Sequence, residues 1–142
     1  MKKTMLIVTL LSSALMAQNG RLSNGVYAVE KGAADAKNPV VRQYEGKDVV
    51  LDTANFAPLV IEGKPEIHRD PGRSWLMVQL APEAAKRLED LTQSHMNRPI
   101  AVVLGDKILS VPMVRSVIKD GKAQVTPCED ESCETLVREL TK

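Results

Sequence analysis

The side chains able to do chemistry in this chain are few and scattered. There are two histidines. His68 lies in the run Glu66-Ile67-His68-Arg69-Asp70, where acid, imidazole and acid stand close enough to suggest an acid/base or metal site. Pro65, Pro71 and Gly72 surround it, so the segment reads as part of a long solvated loop over residues 62–73. His95 lies near the end of a predicted helix, where a cation is favoured by the helix dipole, and capping is expected of it rather than catalysis. No serine sits in a nucleophile elbow. No Ser/His/Asp arrangement stands out, and no Gly-x-Gly spacing for phosphate is present. Glu89 and Asp90 fall on a polar helix face and read as solvated. The chain is therefore expected to be no enzyme and to hold no cofactor or metal.

Cys128 and Cys133 are the only cysteines. Their meaning depends on the compartment. Lys2 and Lys3, the apolar run over residues 5–11 (MLIVTLL), and the small residues up to Ala17 form the three-part layout of a secretory signal peptide. The run is too short to span a bilayer, which takes about 20 apolar residues. No cysteine follows it to carry a lipid anchor. Residues 1–17 are thus expected to be removed, leaving residues 18–142 as a single periplasmic domain. In that oxidising compartment an even cysteine count at short spacing favours one disulfide. It would close a small acidic loop, Glu129-Asp130-Glu131-Ser132, and contribute about 2 kcal/mol by loop entropy. A metal site lacks ligands nearby in sequence.

Composition narrows the partners. Without Lys2 and Lys3, the 19 basic residues fall to 17 against 18 acids. There is no basic excess for nucleic acid and no polybasic run for anionic lipid. No second apolar stretch could insert stably in a membrane. Aromatics are only Trp75, Phe56, Tyr27 and Tyr44, so aliphatic residues must build the core.

The elements that must position these residues are clearest in the second half. Residues 74–80 (SWLMVQL) alternate as a strand, with Leu76, Val78 and Leu80 on one face and Trp75, Met77 and Gln79 on the other. Pro82 suits the first position of a helix. Ala84, Leu88 and Leu91 then recur at helical spacing, with Glu83 and Arg87 as an outer i,i+4 pair. Residues 100–104 (IAVVL) and 107–111 (KILSV) are strands joined by a two-residue turn at Gly105-Asp106. Asp120-Gly121 turns into a strand over residues 122–126, and residues 134–140 (ETLVREL) close the chain as a helix. The first half is less regular: short strands near residues 26–30, 40–44 and 49–51, with Asp52 or Thr53 capping a turn of helix before Pro58. The pattern is α+β, an antiparallel or mixed sheet with helices packed on one face. Whether residues 26–73 join the main sheet is left open.

Two long runs are distinctive: VQLAPEAAKRLEDLT over residues 78–92 and IAVVLGDKILSVP over residues 100–112. With IKDGKAQVT over residues 118–126 they resemble the periplasmic head subdomain of SecD, of the SecD/SecF protein-export family. The resemblance is clearest over residues 74–142 and extends weakly back to residues 47–51. It implies a SecD-head-like fold and a head-like taste for polypeptide. Ala81 stands where that family usually has a capping threonine, a difference of about 1 kcal/mol. Gly105-Asp106 reverses the family's usual order, and the two-cysteine loop is not part of its pattern. SecD proteins carry several transmembrane helices after the head; this sequence shows none, so the resemblance implies no motor.

Two readings follow. One is a non-catalytic periplasmic module that binds exported or envelope polypeptides. The other is a secreted immunity or inhibitor protein that neutralises one toxin or hydrolase. Trp75 and Met77 either lie under the first half of the chain or form an apolar patch for a protein partner. His68, Arg69 and Asp70 in one loop, and Glu129, Asp130 and Glu131 in the other, are the further candidate contacts.

Overall fold

The structure is a computed structural model that describes residues 20–128 and 130–141. The predicted leader, residues 1–17, and Glu129 lie outside the described residues, as do the side chains of Asp130 and Glu131. Among the described residues, eight strands and two α-helices follow one another. They are β1 (Gly25–Glu30), β2 (Pro39–Tyr44), β3 (Lys47–Pro58), β4 (Glu66–Asp70), β5 (Arg73–Gln79), α1 (Pro82–Ser94), β6 (Ile100–Leu104), β7 (Lys107–Ser110), β8 (Lys122–Cys128) and α2 (Asp130–Leu140). The strands form a five-stranded sheet ordered β2-β3-β1-β6-β7 and a three-stranded sheet ordered β4-β5-β8. All named pairings are antiparallel. The α+β expectation holds, with two sheets rather than one.

Of the first half, β1, β2 and β3 join the five-stranded sheet, and β4 joins the three-stranded one. β1 is the centre of the five-stranded sheet, paired with β3 on one side and β6 on the other. Alternation then builds two cores. Val26, Ala28, Ile100, Val102 and Leu104 face the three-stranded sheet and the helices. There they meet Leu76 and Val78 of β5, Leu88 and Leu91 of α1, and Leu136 and Leu140 of α2. Tyr27, Ala101, Val103 and Leu51 fall on the opposite face and pack with Leu22 and Val40. Every residue of β6 is buried, which explains why IAVVL does not alternate.

The helix expected after Asp52 is not there. β3 runs through this segment to Pro58, and Asp52 shapes a bulge instead. The register with β1 jumps from Ala28↔Asp52 to Tyr27↔Phe56, so residues 53–55 loop out of that pairing. Asp52, 1% exposed, accepts the Ala54 N–H at 2.9 Å and the Asn55 side-chain amide at 2.8 Å. A short carboxylate that could cap a helix here satisfies a bulge by the same chemistry. The bulge delivers Phe56 to stack on Tyr27, with ring centroids 4.9 Å apart. Arg87 lies over the Phe56 ring at 5.4 Å. Asp52→Ala leaves the bulge amide without its acceptor and is expected to cost about 2 kcal/mol in urea unfolding. A loss under about 0.5 kcal/mol would remove Asp52 as the organiser of the bulge.

The Gly105-Asp106 turn forms as read, with φ of 60° and 67°. Asp106 does more than turn the chain. Its Oδ1 accepts the Leu22 N–H at 2.7 Å and the Arg42 guanidinium at 3.0 Å, tying β2 and the entering chain to the β6–β7 end of the sheet. The Leu22 amide holds the Asp106 carboxyl below the usual carboxylate range, against partial burial and with help from Arg42. A carboxyl depressed on folding stabilises above its unfolded pKa of about 3.9, and that contribution fades as pH falls through the folded value. Asp106 is part-exposed, so about 1 kcal/mol is expected. An asparagine in its place would keep the left-handed turn. The stability gap between wild type and Asp106→Asn should therefore be present at pH 7 and close at acid pH. A gap independent of pH would show that charge is not what holds this end of the sheet.

Two further expectations are corrected. Residues 62–73 are not simply a loop: β4 pairs with β5 around a Pro71-Gly72 turn in which Gly72 has φ 89°. β4 is an edge strand with a single apolar residue, Ile67, so its alternation leaves little trace in sequence. The closing helix begins at Asp130 rather than Glu134, so the acidic segment before Cys133 is the first turn of α2 and not a loop.

Candidate functional site

β5 turns Leu76 and Val78 inward and leaves Trp75 and Met77 on the outer face of the three-stranded sheet. The β4–β5 register sets His68 opposite Trp75. Their rings stack with centroids 5.5 Å apart and planes 7° from parallel, and the Arg73 guanidinium lies 5.0 Å from the Trp75 ring centroid. Trp75 is thus half-covered, but by neighbours on its own hairpin. His68 also lies 3.5 Å from Glu66. Arg69 and Asp70 lie at the turn end of the hairpin, opposite Ser74 and Arg73. Cys128 pairs with Ser74 in β8 and is bonded to Cys133 of α2, so the disulfide lies at that same end. His68 and Trp75 are therefore brought together, whereas Met77 belongs to a different feature further along the strand.

That feature is a cleft of about 410 Å³ beside β8. Met77, Gln124, Met113, Ile118, Val26 and Ile100 line it, with Arg115 and Lys122 as its charged groups. One wall is β8, an edge strand of its sheet. The Leu80 N–H donates to the Gly121 carbonyl at 2.9 Å, and the register runs on through Lys122↔Gln79 and Ala123↔Val78. Antiparallel alternation then turns the backbone of Ala123 and Val125 toward β5 and that of Lys122 and Gln124 away from it. The Lys122 N–H is met by Asp120 Oδ1 at 3.3 Å. The Gln124 N–H and C=O face outward from the sheet.

The other wall is the irregular segment over residues 112–118. Its backbone is pinned where it passes the helix end: the Val114 N–H donates to the Arg98 carbonyl at 3.0 Å, and the Asn97 N–H to the Val114 carbonyl at 2.8 Å. The fully buried Thr92 accepts the Ile118 N–H at 3.1 Å and donates to the Leu88 carbonyl at 2.9 Å. The cleft is thus held open between two fixed walls. Sequence reasoning missed Met113, Ile118, Gln124 and Thr92 as site residues. The only local signal was apolar side chains in a stretch with no periodicity, beside Pro112.

The residues lining the cleft include no histidine, cysteine or carboxylate. Among the described residues no group of three or more His, Cys, Asp or Glu side chains could hold a metal ion. His95 is the C-cap residue of α1, with Nδ1 3.0 Å from the Leu91 carbonyl and Nε2 3.8 Å from Glu30. Glu30 also accepts from Arg98 at 2.9 Å, so this group ties the helix end to β1. Among the described residues no helix is long and apolar enough to cross a membrane.

The family of the SecDF P1 head subdomain matches residues 35–140. The chain belongs to this family. The SecD-head match reaches well into the first half, beyond where the sequence motifs were clear. Protein translocase subunit SecD of Thermobaculum terrenum is 28% identical over 57% of this chain and 16% of its own length. Protein translocase subunit SecDF of Thermus thermophilus is 21% identical over 72% of this chain and 15% of its own length. The chain therefore spans about a sixth of the curated relatives it matches. A crystal structure of SecDF in a super-membrane-facing form superposes with a TM-score of 0.55 at 20% identity, over 89% of this chain and 19% of that one. A SecDF structure described as a membrane component that enhances protein export gives 0.51 at 15% identity, over 84% and 92%. These likenesses establish the SecD-head fold, with the cleft and the edge of β8 set on it.

Proposed function

We propose that this SecD head domain is a non-catalytic module of the periplasm that binds extended segments of exported or envelope polypeptides. The observation that carries the reading is the outward edge of β8 running beside an apolar cleft. An extended chain can add its backbone hydrogen bonds to Gln124 and lay alternate side chains against Met77, Met113 and Ile118. Arg115 and Lys122 favour segments with acidic flanks. Trp75 and His68, stacked on the β4–β5 hairpin, offer a separate second contact surface. The leader-like residues 1–17 and the Cys128–Cys133 pair support the compartment. No observation favours the inhibitor reading.

The direct test is fluorescence anisotropy on residues 18–142, using a labelled peptide of alternating valine and serine flanked by glutamates. A Kd of roughly 10–100 µM is expected, since a short edge and a small cleft leave little surplus over the cost of association. Equal binding of a scrambled, proline-interrupted peptide, or no binding up to about 1 mM, would refute strand addition.

A further inference from the structure

Three methionines lie among the described residues: Met77, Met96 and Met113. Two of the three line the cleft. Met113 is 45% exposed, and Met96, which does not line the cleft, is 38% exposed. Met113 sits on a bridge to Pro99, in the segment that Val114 and Ile118 pin to the rest of the fold, so its thioether belongs to a fixed wall. Thioethers adapt to many apolar shapes, which suits a cleft that takes varied segments. They also take up oxygen from peroxides, which leucine or valine in the same places would not.

We infer that Met113, which lines the cleft together with Met77, is a sulfoxidation site through which a peroxide switches the cleft off. The sulfur lone pair of Met113 attacks one oxygen of hydrogen peroxide. The S–O bond forms as the O–O bond breaks, and the departing hydroxide takes the proton of the transferred oxygen and leaves as water. Sulfur loses two electrons and the peroxide gains them. The product puts a strong dipole in a cleft whose lining otherwise offers Val26, Ile100 and Ile118. An apolar side chain entering the cleft would then strip water from the sulfoxide without replacing its hydrogen bonds.

The inference rests on the polypeptide-binding reading, and the experiment separates the two. The mature chain is treated with hydrogen peroxide and mapped by peptide mass, and the valine–serine peptide is titrated before and after. A gain of about 16 Da on Met113 should accompany a fall in affinity of about tenfold. Methionine sulfoxide reductase should restore it. The ratio of affinities before and after peroxide should stay near one in M77L/M113L, whatever that variant's starting affinity, and should fall in M96L as in wild type. Binding that survives full oxidation of Met113 overturns the inference. So does a Met113 that peroxide leaves untouched, or an equal fall in M77L/M113L. If the untreated protein binds no peptide, the functional reading fails first and the switch falls with it.

Discussion

Gln124→Pro is expected to abolish peptide binding while leaving the fold in place. Proline in a paired strand normally breaks a ladder bond. Here the Gln124 N–H faces away from β5, because the alternation set by the Leu80–Gly121 bond turns Ala123 and Val125 toward β5 and Gln124 away from it. Edge strands tolerate proline at outward positions for this reason. The substitution removes an outward amide that a captured strand would use, and the ring occupies the place where that strand would lie. A loss of at least tenfold in affinity is expected, with a stability change of about 1 kcal/mol or less. Circular dichroism and urea unfolding read the fold, and peptide anisotropy reads the edge. Retained binding in a folded Gln124→Pro protein would mean that the cleft works without the β8 backbone. That result would return attention to the Trp75–His68 face.

Removing both cysteines is expected to give the largest loss of stability. The bond joins the last residue of β8 to the start of α2, and both sulfurs are buried. Closing so short a loop stabilises by about 2 kcal/mol through entropy alone. The bond also holds the helix that delivers Leu136 and Leu140 to the main core. C128A/C133A should therefore lose about 2–4 kcal/mol. That corresponds to a fall in melting temperature of roughly 10 °C for a domain of this size. The same fall should follow reduction of the wild type under mild denaturant, which exposes the buried bond. Matching melting curves for oxidised protein and variant would show that α2 docks without the bond.

Some of this was legible in the chain itself. Leu76, Val78 and Leu80 at period two, and Ala84, Leu88 and Leu91 at helical spacing, marked β5 and α1 to within a residue or two. Gly105-Asp106 marked its hairpin, because few residues accept consecutive positive φ values. The long runs over residues 78–92 and 100–112 were enough to suggest the family. Each of these signals is local, carried by the conformational limits of a few adjacent residues or by a periodicity within one element. Asp52 marks where that reasoning stops. A carboxylate with nearby amides fits a helix cap and a bulge equally well, and only pairing with β1 selects the bulge.

The cleft was never local. Its walls come from Val26 in β1, Met77 in β5, Ile100 in β6, the segment around Met113, and β8. They meet only once β1 takes the centre of the five-stranded sheet. Whether the Gln124 amide is a ladder bond or an open edge depends on how many strands lie beyond β8, which no residue within β8 encodes. Sequence alone was sufficient for β5, α1, the β6–β7 hairpin and kinship, since short-range sterics and burial patterns decide them. Tertiary pairing alone decided which edge stays open and which methionines stand beside it, since strand order is settled by contacts between residues far apart in the chain.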